Sequence, residues 1–506
     1  MTSLIERHSS KIAGMVSCFD RMIITGIIPG ICHGAGMGAH LRNLNIRIFD
    51  YPKFAEPLRD EIRQNAERVA EESGMEIEFI RSRGSFRKEA RIQEILATRG
   101  EHPGLVYIFS AMEACPSFEP WHDKPSGRTF LKGRDAKCLH YYFYFSSEEF
   151  GLCYLRVPTW APFRLQFYCN GHNWLAKQMT LANISFRQCD NTFTHIADVE
   201  RAQALSDSFP IERLHRCLDE IAMQYCPVIN HFPNSYHWSV MQVEYATDVI
   251  FRRQEDLRPI YETLVRTAIH AVKPDNVATF LGRKLHPNFE DELGNDFHTR
   301  IEGTRIKHHM GPVAIKMYDK QALVLRIETT VNDVTFFKHH RTVEHRNGTT
   351  EVKLAAMRKT IYSLSPLQEL LLAANRRYLE FLAELDDPSA GLPRIEKIAE
   401  TVRKDERTYR GFNLFAKADL QLFTVLVRGE FNISGFKNAS LRPFLPDHTG
   451  AKVSRILKRL HLHGLIRKIG HTYKYYLTKL GKRAAITALK LRELVVIPSL
   501  AGAATA

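Results

Sequence analysis

Between Ala451 and Arg492 the chain holds 12 Lys/Arg and no Asp or Glu, yet the apolar residues in that run are patterned for folding. Val453, Ile456, Leu457 and Leu460 stand at i, i+3, i+4 and i+7, a single stripe of an α-helix. Burying that stripe turns Lys452, Arg455 and Arg459 outward, with Ser454 and Lys458 beside them. Gly464 ends this helix after His463, and Leu465–Ile469 and Tyr473–Leu477 read as two strands around Gly470-His471-Thr472. Further helices are predicted over Ala418–Val427, Ala439–Leu445 and Gly481–Leu494. Positive charge concentrated on a patterned helix and hairpin is the footprint of a polyanion-binding module.

The order helix, helix, basic helix, two-stranded wing resembles the winged helix-turn-helix of MarR-type and related regulators, over about the last 90 residues. The resemblance implies that Lys452–Arg459 enters a major groove while Lys468–Lys474 touches the backbone or minor groove. The implied nucleic-acid-binding residues are Lys452, Ser454, Arg455, Lys458, Arg459, Arg467, Lys468, His471 and Lys474. Phosphates supply most of such affinity, so binding is expected to weaken steeply with salt. Some winged helices mediate protein contacts instead, and such a module does not say what the rest of a chain does.

The rest is large and electrically bland. Phe412–Ala506 carries 16 basic against 4 acidic residues, whereas Met1–Gly411 carries 54 against 52. A length of 506 residues allows several domains. The pattern predicts a multidomain α+β protein: an α/β region at 1–135, an aromatic-rich β segment at 136–230, and an α+β, ferredoxin-like core at 231–350. A helical segment at 351–400 and the winged helix at 412–506 complete the expected layout, with Val402–Gly411 as the charged linker. In the first region a strand at Met15–Ile24, a helix at Phe54–Ser73, a strand at Glu76–Ile80, a helix at Phe86–Arg99 and a strand at Gly104–Ala111 alternate, which favours a partly parallel sheet. Met1–Lys11 lacks the apolar run of a secretory leader, and no stretch reaches the roughly 20 apolar residues of a spanning helix. The nine cysteines are scattered without a CxxC pair, which predicts free thiols and a cytoplasmic setting.

The stretch richest in chemistry is Gly303–Val331. Ala314–Lys320 and Leu323–Val331 both alternate, and a turn at Asp319–Ala322 joins them as a hairpin. Lys316, Tyr318, Arg326 and Glu328 then share one face, read as a non-core surface. Upstream, Trp238–Phe251 alternates and sets Glu244 and Asp248 on one side; His308 and His309 precede the hairpin. Carboxylates, histidine, tyrosine and cationic groups are the set needed for metal-assisted phosphodiester attack by a tyrosine hydroxyl.

Glu244 and Asp248, then Tyr318-Asp-Lys320, then Arg326-Ile-Glu328 resemble the catalytic core of plasmid and filamentous-phage rolling-circle replication initiators, across roughly a fifth of the chain. The resemblance implies a strand-nicking enzyme of mobile-element type. Tyr318 would join covalently to the nicked strand, Lys320, Arg326 and Glu328 would assist, and Glu244, Asp248, His308 or His309 would hold Mg2+ or Mn2+. The chain departs from that pattern in having no His-x-His pair and in placing Gln321-Ala-Leu where an acidic residue is expected.

Other constellations have plainer accounts. Gly34-Ala-Gly36-Met-Gly38 lacks phosphate-loop spacing and reads as a turn. Cys115, His122, Cys138 and His140 are zinc-type ligands at no recognised spacing. Asp20, Glu76, Glu78 and Glu113 form a polar set beside the first strands, readable as a metal centre or as surface carboxylates. Aromatics at Tyr141–Phe145, Trp160, Phe163, Phe167 and Tyr168 read as core or as a platform for stacked bases. The expected partners are therefore duplex DNA, single-stranded DNA and RNA, with self-association also open. Alternatives to nicking are a non-catalytic transcriptional regulator with a large sensing or oligomerising region, or an RNA-binding protein.

Overall fold

In the computed structural model of the chain, the described residues are 2–81, 86–100, 102–285, 293–300, 303–385, 397–470, 472–497 and 500. The protein is mixed α+β, with long, mostly antiparallel strands. It divides into two units, each assembled from separated stretches: Met15–Thr247 with Thr330–Glu369, and Met1–Gly14 with Asp248–Thr329 and Leu370–Ala506. Among the described residues no helix is long and apolar enough to cross a membrane.

The unit built on Met15–Thr247 draws on nine strands. These are β1 (Ile12–Ile27), β2 (Ile77–Phe79), β3 (Gly104–Asp123), β4 (Arg128–Ser147), β5 (Gly151–Pro158), β6 (Leu165–Asn170), β7 (Phe186–Cys189), β8 (Thr192–Ile196) and β9 (His237–Phe251). Strands β7 and β8 form a separate hairpin; the others run β9-β1-β6-β5-β4-β3-β2. The pairs from β1–β6 through β3–β4 are antiparallel, and only β2–β3 is parallel. The parallel character expected from the alternating pattern is thus confined to one crossover, made by the helix Lys88–Arg99. Strand β1 escapes it because its neighbours are β9 and β6, which arrive from much later in the chain.

The aromatic run in β4 is core. Tyr141 through Phe145 are all buried, so both faces of the strand are covered. Phe143 stacks on Tyr225 of the helix Ile211–Tyr225 at 4.4 Å between centroids. On the other face Tyr142, Tyr144 and Tyr154 pack with Ile92 of Lys88–Arg99. Phe163 and Phe167 are buried as well, while Trp160 and Tyr168 are half-buried.

The glycine-rich turn also has a packing cause. Gly34 opens the helix Gly34–Asn43, capped by His33, whose Nδ1 accepts from the Gly36 amide at 2.9 Å. A Cβ on Gly34 would lie 2.1 Å from the Leu131 carbonyl oxygen, so the residue is small because helix and β4 touch there.

The other unit holds β10 (Leu293–Arg300), β11 (Gly303–Met310), β12 (Val313–Lys320) and β13 (Val324–Val331), in the order β10-β11-β12-β13, together with the end of β9 from Asp248 onward. Helices Gln254–Ala271, Pro274–Phe280 and Leu364–Leu385 supply packing partners: Tyr378 meets Phe280 edge-on at 5.2 Å, and Arg377 donates to the Phe280 carbonyl at 2.6 and 2.8 Å.

The C-terminal residues form a small module with its own core. Helices Lys417–Leu426, Gly429–Ser434, Asn438–Leu441 and Gly450–Leu462 precede a hairpin of Ile466–Lys468 with Tyr475–Leu477, then the helix Lys479–Leu491. Phe423, Leu441, Val453, Leu457, Leu460 and Ala485 meet at its centre. Phe436 pairs with Tyr475 through two backbone hydrogen bonds of 2.9 and 2.8 Å, adding a third, one-residue strand beside the hairpin. Thr449 caps the helix Gly450–Leu462 and Gly464, at φ +72°, closes it. Val402–Gly411 departs from the linker expectation: Val402–Lys404 and Arg407–Tyr409 pair as a hairpin. The Pro- and Gly-containing run Asp387-Pro-Ser-Ala-Gly391, whose composition predicts a helix break, lies outside the described residues.

One contact tests the packing of the first unit. Gly171 begins the helix Gly171–Leu181, and a Cβ there would stand 2.2 Å from the Phe19 carbonyl oxygen of β1. Gly171→Ala is expected to destabilise the protein by about 1–3 kcal/mol, since backbone must shift. An unchanged denaturant midpoint would show that the helix does not sit this close to β1.

Candidate functional site

Strand alternation assembles the polar residues of β12, β13 and β9. In β11–β12, Lys307 faces Lys316 and His308 faces Ile315 across the ladder, and directly paired side chains share a side. Lys316 and Tyr318 therefore lie on the side opposite His308, Ile315 and Met317. The Glu328 carboxylate joins them: Lys316 Nζ donates to its Oε1 at 2.6 Å, and the Tyr318 hydroxyl to its Oε2 at 2.6 Å. Arg326, two residues earlier on the same side of β13, donates through Nε and Nη2 to both oxygens of Asp248, each at 2.7 Å. Lys320 continues the row, half-buried.

This face is interior, contrary to the solvated surface expected from its charge. Arg326 is fully buried, and Asp248, Glu328 and Tyr318 are 1%, 1% and 8% exposed. A charged row is tolerated there because each ion meets an opposite one at hydrogen-bond distance. Chemically, Tyr318 and Glu328 form a hydroxyl–carboxylate pair, the arrangement in which a base takes a nucleophile's proton.

The expected metal ligands do not gather. Four residues of β-strand span about 13 Å, so Glu244 and Asp248 share a face but not an ion. Both Asp248 oxygens already accept from Arg326. His308 points the other way and uses both ring nitrogens, Nδ1 toward Asn295 Oδ1 at 2.6 Å and Nε2 toward the Tyr378 hydroxyl at 3.0 Å. Burial, and secondarily His309, pushes its pKa down to about 4, so the ring is neutral. His309 lies on the side opposite His308, with Nδ1 3.6 Å from Asp296. Glu244 accepts from Thr330 at 3.3 Å.

Glu244 does have an acidic neighbour in its own unit. A carboxylate oxygen of Asp20, on β1, lies within 4.8 Å of one on Glu244. Asp20 is buried and accepts from Asn170 at 2.7 Å and from Asn191 at 2.7 and 2.8 Å, with His172 Nδ1 3.3 Å away. Two carboxylates at this spacing fit a divalent cation that keeps several waters. The other members of the polar set disperse. Glu113 accepts from Tyr142 and Arg156, Glu78 from Tyr107, and Glu76 is exposed. Of the zinc-type residues, Cys115, Cys138 and His140 stay together, with Cys138 Sγ 3.8 Å from His140 Nδ1, but His122 pairs with Thr129 at the far end of the β3–β4 ladder.

In the C-terminal module, Lys452, Ser454, Arg455 and Lys458 are exposed on the helix Gly450–Leu462, as are Arg467 and Lys468 on the hairpin; Lys474 is half-buried. Ser454 accepts from Asn438 at 2.8 Å. His471 lies outside the described residues. Arg459 is the exception to the groove-facing expectation. It pairs with Asp419 at 2.8 and 3.0 Å, donates to the Arg410 and Gly411 carbonyls, and stacks 3.7 Å over Phe412. Its helical position alone could not reveal these partners, all of which lie about 40 residues or more away in sequence.

No family model, curated protein or solved structure matches the chain.

Two measurements check this geometry. Arg326→Met and Asp248→Leu are each expected to cost about 3–5 kcal/mol by stranding a buried charge, while the apolar pair Arg326→Met with Asp248→Leu costs clearly less than their sum. Additive losses in a denaturation cycle would contradict a buried pair. For His308, the unfolded chain binds a proton below the ordinary value of 6.5 that the native ring refuses until about 4. Stability should therefore fall as pH drops through that window, by up to about 3 kcal/mol. His308→Gln should flatten that part of the profile; equal slopes in both proteins would contradict a neutral buried ring.

Proposed function

We propose that the protein binds duplex DNA through a winged helix-turn-helix formed by its C-terminal residues. The observation that carries this reading is the two-sided helix Gly450–Leu462. Val453, Leu457 and Leu460 are core, while Lys452, Ser454, Arg455 and Lys458 stand exposed with no carboxylate among Ala451–Arg492. Lys452, Arg455 and Lys458 are the groove-facing residues in this reading, and Arg467, Lys468 and Lys474 the contacts to flanking phosphates.

A second reading, favoured by the Tyr318–Glu328 pair, adds strand nicking of mobile-element type. The Tyr318 oxygen would attack a phosphodiester phosphorus while Glu328 takes the phenolic proton; the P–O bond to the leaving strand would break, and its oxygen would take a proton from water to leave a free hydroxyl end. Lys316 stays against Glu328 as a fixed positive charge. In the other unit, Asp20 and Glu244 are the residues that would hold Mg2+ or Mn2+. Because Tyr318 is buried, this reading requires the face to open for substrate.

Both are testable on the full chain. Duplex affinity should fall about 1000-fold or more between 50 and 200 mM salt if six or more phosphates are neutralised. Lys452→Ala with Arg455→Ala should weaken it at every salt concentration; salt-insensitive binding would overturn the first reading. Labelled single-stranded and duplex DNA incubated with Mg2+ or Mn2+ should yield a covalent adduct that Tyr318→Phe abolishes. Cleavage that survives Tyr318→Phe, or no cleavage of any substrate, would remove the second reading and leave the first.

A further inference from the structure

The segment Val402–Tyr409 is an antiparallel hairpin fixed against the helix Gly450–Leu462. Val402 pairs with Tyr409, Arg403 with Thr408 and Lys404 with Arg407, around a turn at Asp405 and Glu406. Arg459 donates to the Arg410 carbonyl at 3.0 Å and to the Gly411 carbonyl at 2.7 Å. The buried His463 reaches the Glu400 carbonyl at 3.0 Å, and the Phe412 amide donates to Ile398 at 2.8 Å. Gly411 sits so tightly that a Cβ would lie 1.8 Å from the Ala399 carbonyl oxygen. The hairpin is thereby held by both of its ends to the residues that carry the basic helix.

Between hairpin and helix runs a cleft of about 590 Å³ whose charged lining is Arg407, Arg410, Lys452, Arg455 and Arg459. No carboxylate lines it. Arg459 is spent on Asp419 and backbone carbonyls, but Arg407, Arg410, Lys452 and Arg455 are exposed. Four cations brought together from two elements repel one another unless an anion enters between them, and a phosphodiester oxygen is the anion that the neighbouring helix already implies. The acidic residues Asp405 and Glu406 occupy the hairpin tip, outside the cleft lining, so the arms rather than the tip suit a polyanion.

We propose that this hairpin is a second wing, and that its cleft with the basic helix grips the phosphate backbone of duplex DNA beside the groove that the helix enters. This rests on the duplex-binding reading given above and extends it to Arg407 and Arg410, which no pattern in the sequence marks. The wing would add affinity and register but no base readout, because phosphates carry no sequence information.

The test uses the full chain, fluorescence anisotropy with a pool of random-sequence duplexes, and a salt titration. Arg407→Ala with Arg410→Ala is expected to weaken binding about 10-fold and to reduce the slope of log K against log salt by nearly 2, one unit for each phosphate lost. Sequence preference, measured by selection from the same pool, should not change. Arg407→Glu with Arg410→Glu should weaken binding further. Unaltered affinity and slope in both hairpin variants, with binding still lost in Lys452→Ala with Arg455→Ala, would overturn the second wing and leave the duplex-binding reading standing. A wild-type chain that binds no duplex would overturn that reading itself. Both hairpin residues are exposed, so unchanged circular dichroism should accompany either result.

Discussion

A guanidinium inside a β-sheet has lost its hydration, and it can remain there only if a carboxylate of matching shape replaces the water. Arg326 and Asp248 meet this condition with two hydrogen bonds of 2.7 Å at full burial. The pair joins strands that are more than 70 residues apart in sequence, so it fixes the alignment of β9 with β13 as well as neutralising a charge. Lys316, Tyr318 and Glu328 then have defined positions along the same row. A single slip of β13 would carry Arg326 and Glu328 to the helix-covered side, where His308 and Met317 lie. The whole polar face depends on that one register.

The C-terminal module uses a second arginine in a related way. Arg459 extends from the basic helix but turns inward to Asp419, to two backbone carbonyls and to the ring of Phe412. It gives up a place on the exposed basic side of the helix and in return fixes the hairpin Val402–Tyr409 to the helix. Lys and Arg at neighbouring positions of one helix thus have different tasks. A planar fork can satisfy several acceptors at once, which an ammonium group cannot.

Much of the secondary structure was legible. The strand expected at Met15–Ile24 is Ile12–Ile27, and the helix expected at Phe54–Ser73 is Tyr51–Glu72. The alternation in Ala314–Lys320 and Leu323–Val331 gave the correct strands and the correct grouping of Lys316, Tyr318, Arg326 and Glu328 on one side. Burial was not legible, because an alternating charged face looks the same in a sequence whether water or protein covers it. The hairpin Val402–Tyr409 was hidden for a different reason. Its turn residues Asp405 and Glu406 adopt positive φ without the Gly or Asn that normally signals such a turn.

By itself the sequence determined the periodicities, and through them which residues could lie together on a strand face or helix stripe; this holds because 2.0 and 3.6 residue repeats are properties of the backbone alone. It also determined where positive charge accumulates. Only the tertiary structure decided which charges are spent on partners. Asp248 and His308 are taken from the candidate metal ligands, and Arg459 from the candidate nucleic-acid contacts, by groups 13 to 78 residues away. Asp20 is brought to Glu244 by the adjacency of β1 and β9. Electrostatic and hydrogen-bond partners are chosen by distance in space, and long-range strand pairing sets those distances after the local pattern has done all it can.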